Sequence, residues 1–320
     1  MSKKFLWVTI AAALFLALVV ATIIMHTQRG PDTIRVGYVP IADAAQVFVG
    51  IEQGYFENHG LKIELVQMTS GPKILEALGA GSIEMGLTST VPFLVARESG
   101  LDFVAVTGGP VEDRDHAEHA IIVRHDSPLR SVADLKGKRI AISGLRNIDD
   151  FMVTSLLAKN NVKRDEVTFT EIPFPRMPTV IEAKNVDAAA AIEPFVTLAV
   201  QSGTARILVH YFPEVLPRVP VATWVIRKKW ANEHPDLAEA IHATLLESTR
   251  FILANESKTR DIVGKYANLD SSVTSAMRMP LFTETIARDD ILAIAAMARS
   301  RGLLKRDVDV SSLSLGPTGQ

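Results

Sequence analysis

Three stretches of this chain place a hydroxyl and a small or polar residue directly ahead of a helix-like run. They are Ser70-Gly71 before Pro72, Ser89-Thr90 before Val91-Pro92, and Ser143-Gly144-Leu145-Arg146-Asn147 before Ile148. A helix N-terminus presents N–H groups with no intrahelical partner together with the positive end of the helix dipole. Hydroxyls set there suit a carboxylate, a sulfonate or a phosphate. The same residue types also act as plain N-caps, and both readings stand for each stretch. Arg146 would clamp an acid group or remain a solvated charge, and Arg176, between Pro175 and Met177-Pro178, carries the same two readings. Glu193 follows an apolar run and precedes Pro194. Its carboxylate would accept hydrogen bonds from an amine- or amidine-like ligand group, or cap its own helix. On the ligand reading, Glu193→Gln or Arg146→Ala weakens binding and leaves the unfolding temperature nearly unchanged.

Glu112, Asp113, Asp115, His116, Glu118 and His119 crowd one polar stretch. The His-x-x-His spacing is compatible with a metal, but nothing in the pattern fixes those ligands on one rigid face. The stretch therefore reads as a solvated hinge loop, and no metal site is expected. A Gly-rich phosphate loop, a Gly-x-Ser-x-Gly elbow and a paired zinc motif are all missing from the sequence. With no cysteine in the chain, disulfides, thiolate metal sites, a cysteine nucleophile and a lipid-modified N-terminal cysteine are excluded. As a catalyst the sequence is quiet, and neither an enzyme activity nor a cofactor is expected.

Such residues need elements to hold them. Short apolar strands read at 33–39, 61–68, 83–88 and 103–106. Helices read between them at 44–54, with Asp43 as its cap, and at 72–79 and 91–99. That rhythm predicts a parallel, doubly wound α/β sheet. Gly108-Gly109-Pro110 interrupts it, and it restarts with strands at 120–124, 139–143, 167–171, 187–192 and 206–209. A return segment follows at 219–226, and 228–303 reads as helical. One unit occurs twice. P-K-I-L-E-A from Pro72, I-E-M-G-L-T and Pro92-Phe93 are echoed by P-T-V-I-E-A from Pro178, V-D-A-A-A-A and Pro194-Phe195. Two copies of a helix–strand–helix unit imply two similar lobes with a cleft between them.

The expected domains are lobe I at 33–109 plus 220–303 and lobe II at 120–212, joined by hinge crossings near 109–118 and 213–220. A loosely ordered tail is expected at 304–320. In open α/β sheets ligands sit beyond the carboxyl ends of strands. That rule nominates Tyr38, Pro40 and Asp43, then Thr69, Ser70 and Gly71, then Thr88, Ser89 and Thr90. It also nominates Gly108 and Gly109, the loop of Ser143, Gly144, Arg146 and Asn147, Glu193, and Trp224 on the return segment.

Composition narrows the partners. A net charge of −2 supplies no basic stripe for nucleic acid, and 320 residues with 48% hydrophobic side chains can bury one large core or two medium ones. Lys3-Lys4 precedes an apolar run at 5–25. About 21 residues at ~1.5 Å each reach about 31 Å, enough for a ~30 Å hydrocarbon core. Residues 1–30 thus read as a secretory signal peptide or as an uncleaved transmembrane anchor, and either one exports the body of the protein.

Several segments together carry a resemblance: I-R-V-G-Y-V-P (34–40), G-Y-F-E-N-H-G-L (54–61), S-G-P-K-I-L-E-A-L (70–78), S-V-A-D-L-K-G-K-R-I-A (131–141) and V-D-A-A-A-A-I-E-P-F (186–195). With the return segment at 221–227, they resemble the extracytoplasmic solute-binding proteins for nitrate, aliphatic sulfonates, taurine and thiamine-pyrimidine precursors. The resemblance covers 34–303 and implies a two-lobed type II periplasmic-binding fold. It further implies a monomer, periplasmic or anchored to the inner membrane, that delivers a small anionic or zwitterionic solute to an ABC permease. It places the ligand against the loops nominated above. Sulfonate binders of the family use hydroxyls and helix N-termini; pyrimidine binders use aromatic stacking and a carboxylate, for which Trp224 and Glu193 stand. One departure is that Leu145, Arg146 and Ile148 occupy a loop usually rich in small residues, so no single family ligand carries across. Two alternatives stay open: a membrane-tethered sensory or accessory module, and an enzyme on the same fold making a thiamine pyrimidine or menaquinone precursor.

Overall fold

The computed structural model describes residues 32–315, so the apolar run at 5–25 lies outside the described residues. Among the described residues no helix is long and apolar enough to cross a membrane. Strands β1 (Asp32–Tyr38), β2 (Leu61–Gln67), β3 (Met85–Ser89) and β4 (Phe103–Ala105) form where the alternation predicts them. β5 (Pro110–Glu112) follows, then β6 (Ala120–Arg124), β7 (Arg139–Ile142), β8 (Thr168–Glu171), β9 (Ala188–Ala191) and β10 (Ala205–Val209). The return segment is β11 (Val219–Pro220) and β12 (Ala222–Arg227), and β13 (Leu281–Phe282) interrupts the helices that make up most of the remainder.

These strands build two five-stranded sheets, ordered β2-β1-β3-β12-β4 and β10-β6-β9-β7-β8, and a small sheet β11-β5-β13. The strands of the internal echo, β3 and β9, lie at the centre of each large sheet. Both read as continuous buried runs, M-G-L-T-S and A-A-A-A, as central parallel strands do. β1 pairs parallel with β2 and β3, and β7 pairs parallel with β8 and β9. β12 and β6 run antiparallel to both of their neighbours, so the sheets are mixed where the rhythm alone predicts parallel ones. The reason is local. Each of these two strands enters its sheet directly from a chain crossing, without the crossover helix that a parallel return requires. The crossings themselves pair: Val111 of β5 faces Pro220 of β11 on one side and Leu281 of β13 on the other.

The helices that aim polar groups at the strand ends are seated by packing. In the Gly71–Ala80 helix Ile74, Leu75 and Leu78 are buried, each full burial contributing about 1.5–3 kcal/mol. Gly86 of β3 permits that seat, since a Cβ there would meet Ile74 Cγ2 at 2.2 Å. The Thr90–Glu98 helix starts directly after β3, and the Ile148–Lys159 helix buries Ile148, Phe151, Met152 and Leu156 beyond β7.

Two expectations are corrected. Asp43 does not cap the following helix; it lies in the short 3-10 turn Ala42–Ala44 and makes no capping bond, and the helix runs Ala45–Glu52. The segment 304–315 is not loose. Leu304, Val310 and Leu313 are buried, Ala105 N donates to Leu313 O at 2.7 Å, and Leu315 N donates to Ala105 O at 2.9 Å. This segment pairs both backbone groups of Ala105 at the otherwise open edge β4.

Candidate functional site

A cavity of about 40 Å³ opens where the carboxyl ends of β1, β3 and β7 approach one another. Residues from both large sheets and their loops line it. Asp43, Ser70, Gly71 and Ser89 come from one side; Ser143, Asn147, Asp149 and His119 come from the other. Ile41, Leu87, Ile148, Phe174, Ile192 and Val221 supply apolar wall. The two sides are in contact: Ala42 N donates to Glu193 O at 3.2 Å, and a Cβ on Gly144 would stand 3.2 Å from Ser70 Cβ. At this volume the cavity admits a few waters, each needing about 10–15 Å³ of such space, so a larger guest requires the two sides to part.

The hydroxyls at the helix starts divide into two kinds. Ser70 and Ser89 occupy N-cap positions, yet neither side chain makes a capping hydrogen bond. Thr88 Oγ1 is buried nearby, without a hydrogen-bond partner among the described residues. These groups are free to receive something else. Asn147 is a true cap, accepting from Asp150 N at 3.0 Å, and its amide donates to Ser143 Oγ at 2.6 Å and to Asp149 Oδ2 at 3.0 Å.

The remaining nominated residues do not line the cavity. Tyr38 is buried edge-on against Phe48, and Trp224 is fully buried on β12, paired across the sheet with Leu87. Pro40 is buried and Thr69 exposed, neither lining the cavity. Thr90 is committed elsewhere, its hydroxyl donating to Pro220 O at 2.6 Å. Gly108 and Gly109 serve backbone approach: a Cβ would sit 2.3 Å from Thr283 O at the first and 2.2 Å from Ala222 O at the second. Arg146 is exposed, in left-handed backbone at φ 63°, with its N–H donated to Asp150 Oδ2. Glu193 is buried and occupied. It accepts from Thr197 N at 3.0 Å, Thr197 Oγ1 at 2.8 Å and Arg278 N at 3.2 Å. Its carboxylate therefore ties its own helix to the loop at Arg278.

The polar stretch after β5 is the largest surprise. Glu112 and Glu118 are 0% exposed and His119 2%, so the expected solvated loop holds only for Asp113, Arg114, Asp115 and His116. His119 Nδ1 bonds Glu112 Oε1, and His119 Nε2 lies 3.5 Å from Asp149 Oδ1. Asp149 also accepts from Tyr211 Oη at 2.7 Å and from Ser143 Oγ at 2.9 Å. Phe212 stacks on the imidazole at 4.0 Å. No donor among the described residues reaches Glu112 Oε2, either oxygen of Glu118, or Asp43 Oδ1.

Burial raises the pKa of Asp43, of Glu112 and, furthest, of Glu118, which also has Asp43, Glu112 and Glu193 beside it. Asp43 and Glu118 lie close enough to share one proton. Burial by itself would lower His119; Glu112 first, then Asp149 and Asp43, outweigh it and bring the imidazole to about 8. Tyr211 is held far above its ordinary value by burial and by Asp149.

The nominations missed Asp149, His119, Glu118, Tyr211 and Phe174. Asp149 reads in sequence as an ordinary first-turn acid, one that complements the helix dipole. Glu118-His119 abuts the apolar strand β6 directly, and that adjacency was the available sign that the pair is drawn inward.

The fold is a pair of mixed α/β sheets joined by short crossings, with polar loops converging on a cavity between them. The chain belongs to the NMT1-like family, whose model matches residues 27–267. Over 195 residues it is 30% identical to a protein of Escherichia coli (strain K12) named for binding aliphatic sulfonates, covering 59% of this chain and 58% of that one. It is 29% identical over 199 residues to a Brachyspira hyodysenteriae protein named as an ABC transporter periplasmic binding protein, covering 57% and 55%. The chain thus spans a little over half the length of these two relatives. The alkanesulfonate-binding protein SsuA from Xanthomonas axonopodis pv. citri, solved bound to MOPS, shares the fold at a TM-score of 0.73. That likeness has 23% identity and covers 89% of this chain and 99% of that one.

Proposed function

We propose that this protein is the solute-binding component of an ABC importer, and that its solute is a small organic zwitterion with an acid group and a cationic group. The observation that carries the reading is the polarity of the cavity. One side offers the uncommitted hydroxyls of Ser70 and Ser89 at helix N-termini, where an acid group is stabilised. Beside them on the same side is the Asp43 carboxyl, and across the cavity the Asp149 carboxyl, where an ammonium is stabilised. Family membership supports a binding rather than a catalytic role, and so do the names of the two relatives. The small β11-β5-β13 sheet is the hinge on which lobes at 33–109 plus 220–303 and at 120–212 part and close around the solute. The run at 5–25 exports the monomeric protein to the periplasm as a signal peptide or holds it at the inner membrane, within reach of the permease.

Thermal shift with three ethyl compounds tests the reading on one carbon frame: 2-aminoethanesulfonate, ethanesulfonate and ethylamine. The zwitterion is expected to raise the unfolding temperature most, and ethylamine least. No shift with any of the three, or an equal shift with all, defeats it.

A further inference from the structure

Behind the cavity wall formed by Asp43 and His119, one imidazole and several carboxyls are gathered out of solvent. One donor atom each from Glu112, Glu118 and His119 lie within 4.8 Å of one another. Donors around a single ion at about 2.1 Å stand roughly 3–4 Å apart, so these three need only a small inward adjustment. Two observations separate this group from an ordinary acidic cluster. The first is the set of unclaimed acceptors. No N–H or hydroxyl among the described residues reaches Oε2 of Glu112 or either oxygen of Glu118, all buried, and Glu118 meets only Asp43, which is 2% exposed, lines the cavity and can bond it only through a shared proton. Buried carboxylate lone pairs are costly unless a proton, a donor or a cation takes them.

The second observation is the surroundings of His119. Its Nε2 faces Asp149 at 3.5 Å, and Asp149 is itself held by Tyr211, Ser143 and Asn147. That chain of contacts orients the ring so that Nδ1 points at the carboxyl group of Glu112, and Phe212 fixes the ring plane. A carboxylate on the far nitrogen of an imidazole is the outer arrangement of metal-ligating histidines.

We infer that Glu112, Glu118 and His119 form a buried site for a divalent first-row transition-metal ion, with Asp43 as a fourth donor facing the cavity. Carboxylate oxygens with one imidazole suit Zn²⁺ and Mn²⁺, whereas Ca²⁺ takes six to eight oxygens and finds too few here. The ion enters through the cavity, because Asp43 and His119 are the members that line it. Its three grouped donors, Glu112, Glu118 and His119, are not among the groups assigned to the solute; only Asp43 is shared with that assignment.

The test uses the full chain, stripped with a chelator and equilibrated with Zn²⁺, Mn²⁺ or Ca²⁺ alone. Metal content by mass spectrometry is expected at one Zn²⁺ or Mn²⁺ per chain, with a higher unfolding temperature and no uptake of Ca²⁺. Glu118→Gln keeps the shape of the side chain and removes a ligand, so affinity is expected to fall at least about 100-fold while the metal-free protein remains folded. Tyr211→Phe spares every donor and loosens Asp149, for an expected loss of about 10-fold. Uptake missing from the parent protein, equal for Ca²⁺, or unchanged in both variants overturns the site. The ethyl-compound shifts, run on stripped protein, report on the solute separately.

Discussion

Ser70→Ala and Ser89→Ala separate a ligand-binding hydroxyl from a structural cap. Neither side chain makes a capping bond, so little internal energy is lost with it. Surface or cleft substitutions free of such features usually stay within about 0.5 kcal/mol of the parent. A hydroxyl bonded to a charged acid group contributes about 1.5–3 kcal/mol, which at 1.4 kcal/mol per decade is about 10- to 100-fold in Kd for each variant. Isothermal titration with 2-aminoethanesulfonate gives the affinity, and thermal unfolding gives the stability. Asn147→Ala is the control for a real cap, since Asn147 accepts from Asp150 N and donates to Ser143 and Asp149. It is expected to cost about 1–2 kcal/mol of stability. Unchanged Kd in both serine variants, with unfolding temperatures lowered as far as in Asn147→Ala, would refute the reasoning and make the serines caps.

Three further outcomes follow from the same geometry. Glu193→Gln sets an amide N–H against a backbone donor, either Thr197 N or Arg278 N, and is expected to cost about 1–3 kcal/mol of stability, while Arg146→Ala changes neither stability nor affinity. Denaturant titration and calorimetry check both, and a loss of affinity with intact stability would restore the ligand reading of the sequence. Leu313→Ala, at a site 2% exposed, is expected to destabilise by about 2–5 kcal/mol; a negligible change would show that the segment at 304–315 is loose after all. Burial alone would raise Glu84, but hydrogen bonds from the Arg35 side chain and backbone hold its carboxyl below the usual range. A carboxyl lowered on folding adds stability that is present above its unfolded value and lost as pH falls through the folded one. The stability gap between the parent and Arg35→Gln should therefore shrink on acidification from neutral pH to below pH 4; a gap that is constant with pH would contradict the assignment.

The elements were legible because their periodicities are strong. The echo between Pro72 and Pro178 predicted two equivalent units, and β3 and β9 occupy the same central place in their sheets. Half of the cavity was legible for the same reason, since Ser70, Gly71, Ser89, Ser143 and Asn147 all follow strand ends in the βα rhythm. His119 and the buried acids behind the cavity wall were hidden by direction and distance. β6 and β12 enter antiparallel, so the crossing before β6 folds inward and carries Glu112, Glu118 and His119 into the interior. Charge density in a loop normally signals solvent, and only the tertiary partners Asp43, Asp149 and Tyr211 reverse that sign here. Glu193 and Trp224 show the opposite limit. Position after a strand nominated both, but Thr197 and Arg278 claim the first and the sheet core encloses the second.

A crystal structure of the protein with 2-aminoethanesulfonate tests the central claim most directly. The account predicts the sulfonate within hydrogen-bonding distance of Ser70 Oγ and Ser89 Oγ, and the ammonium on Asp43 or Asp149. The reverse orientation, or a ligand bound outside the walls of Ser70, Ser89, Asp43 and Asp149, would contradict it.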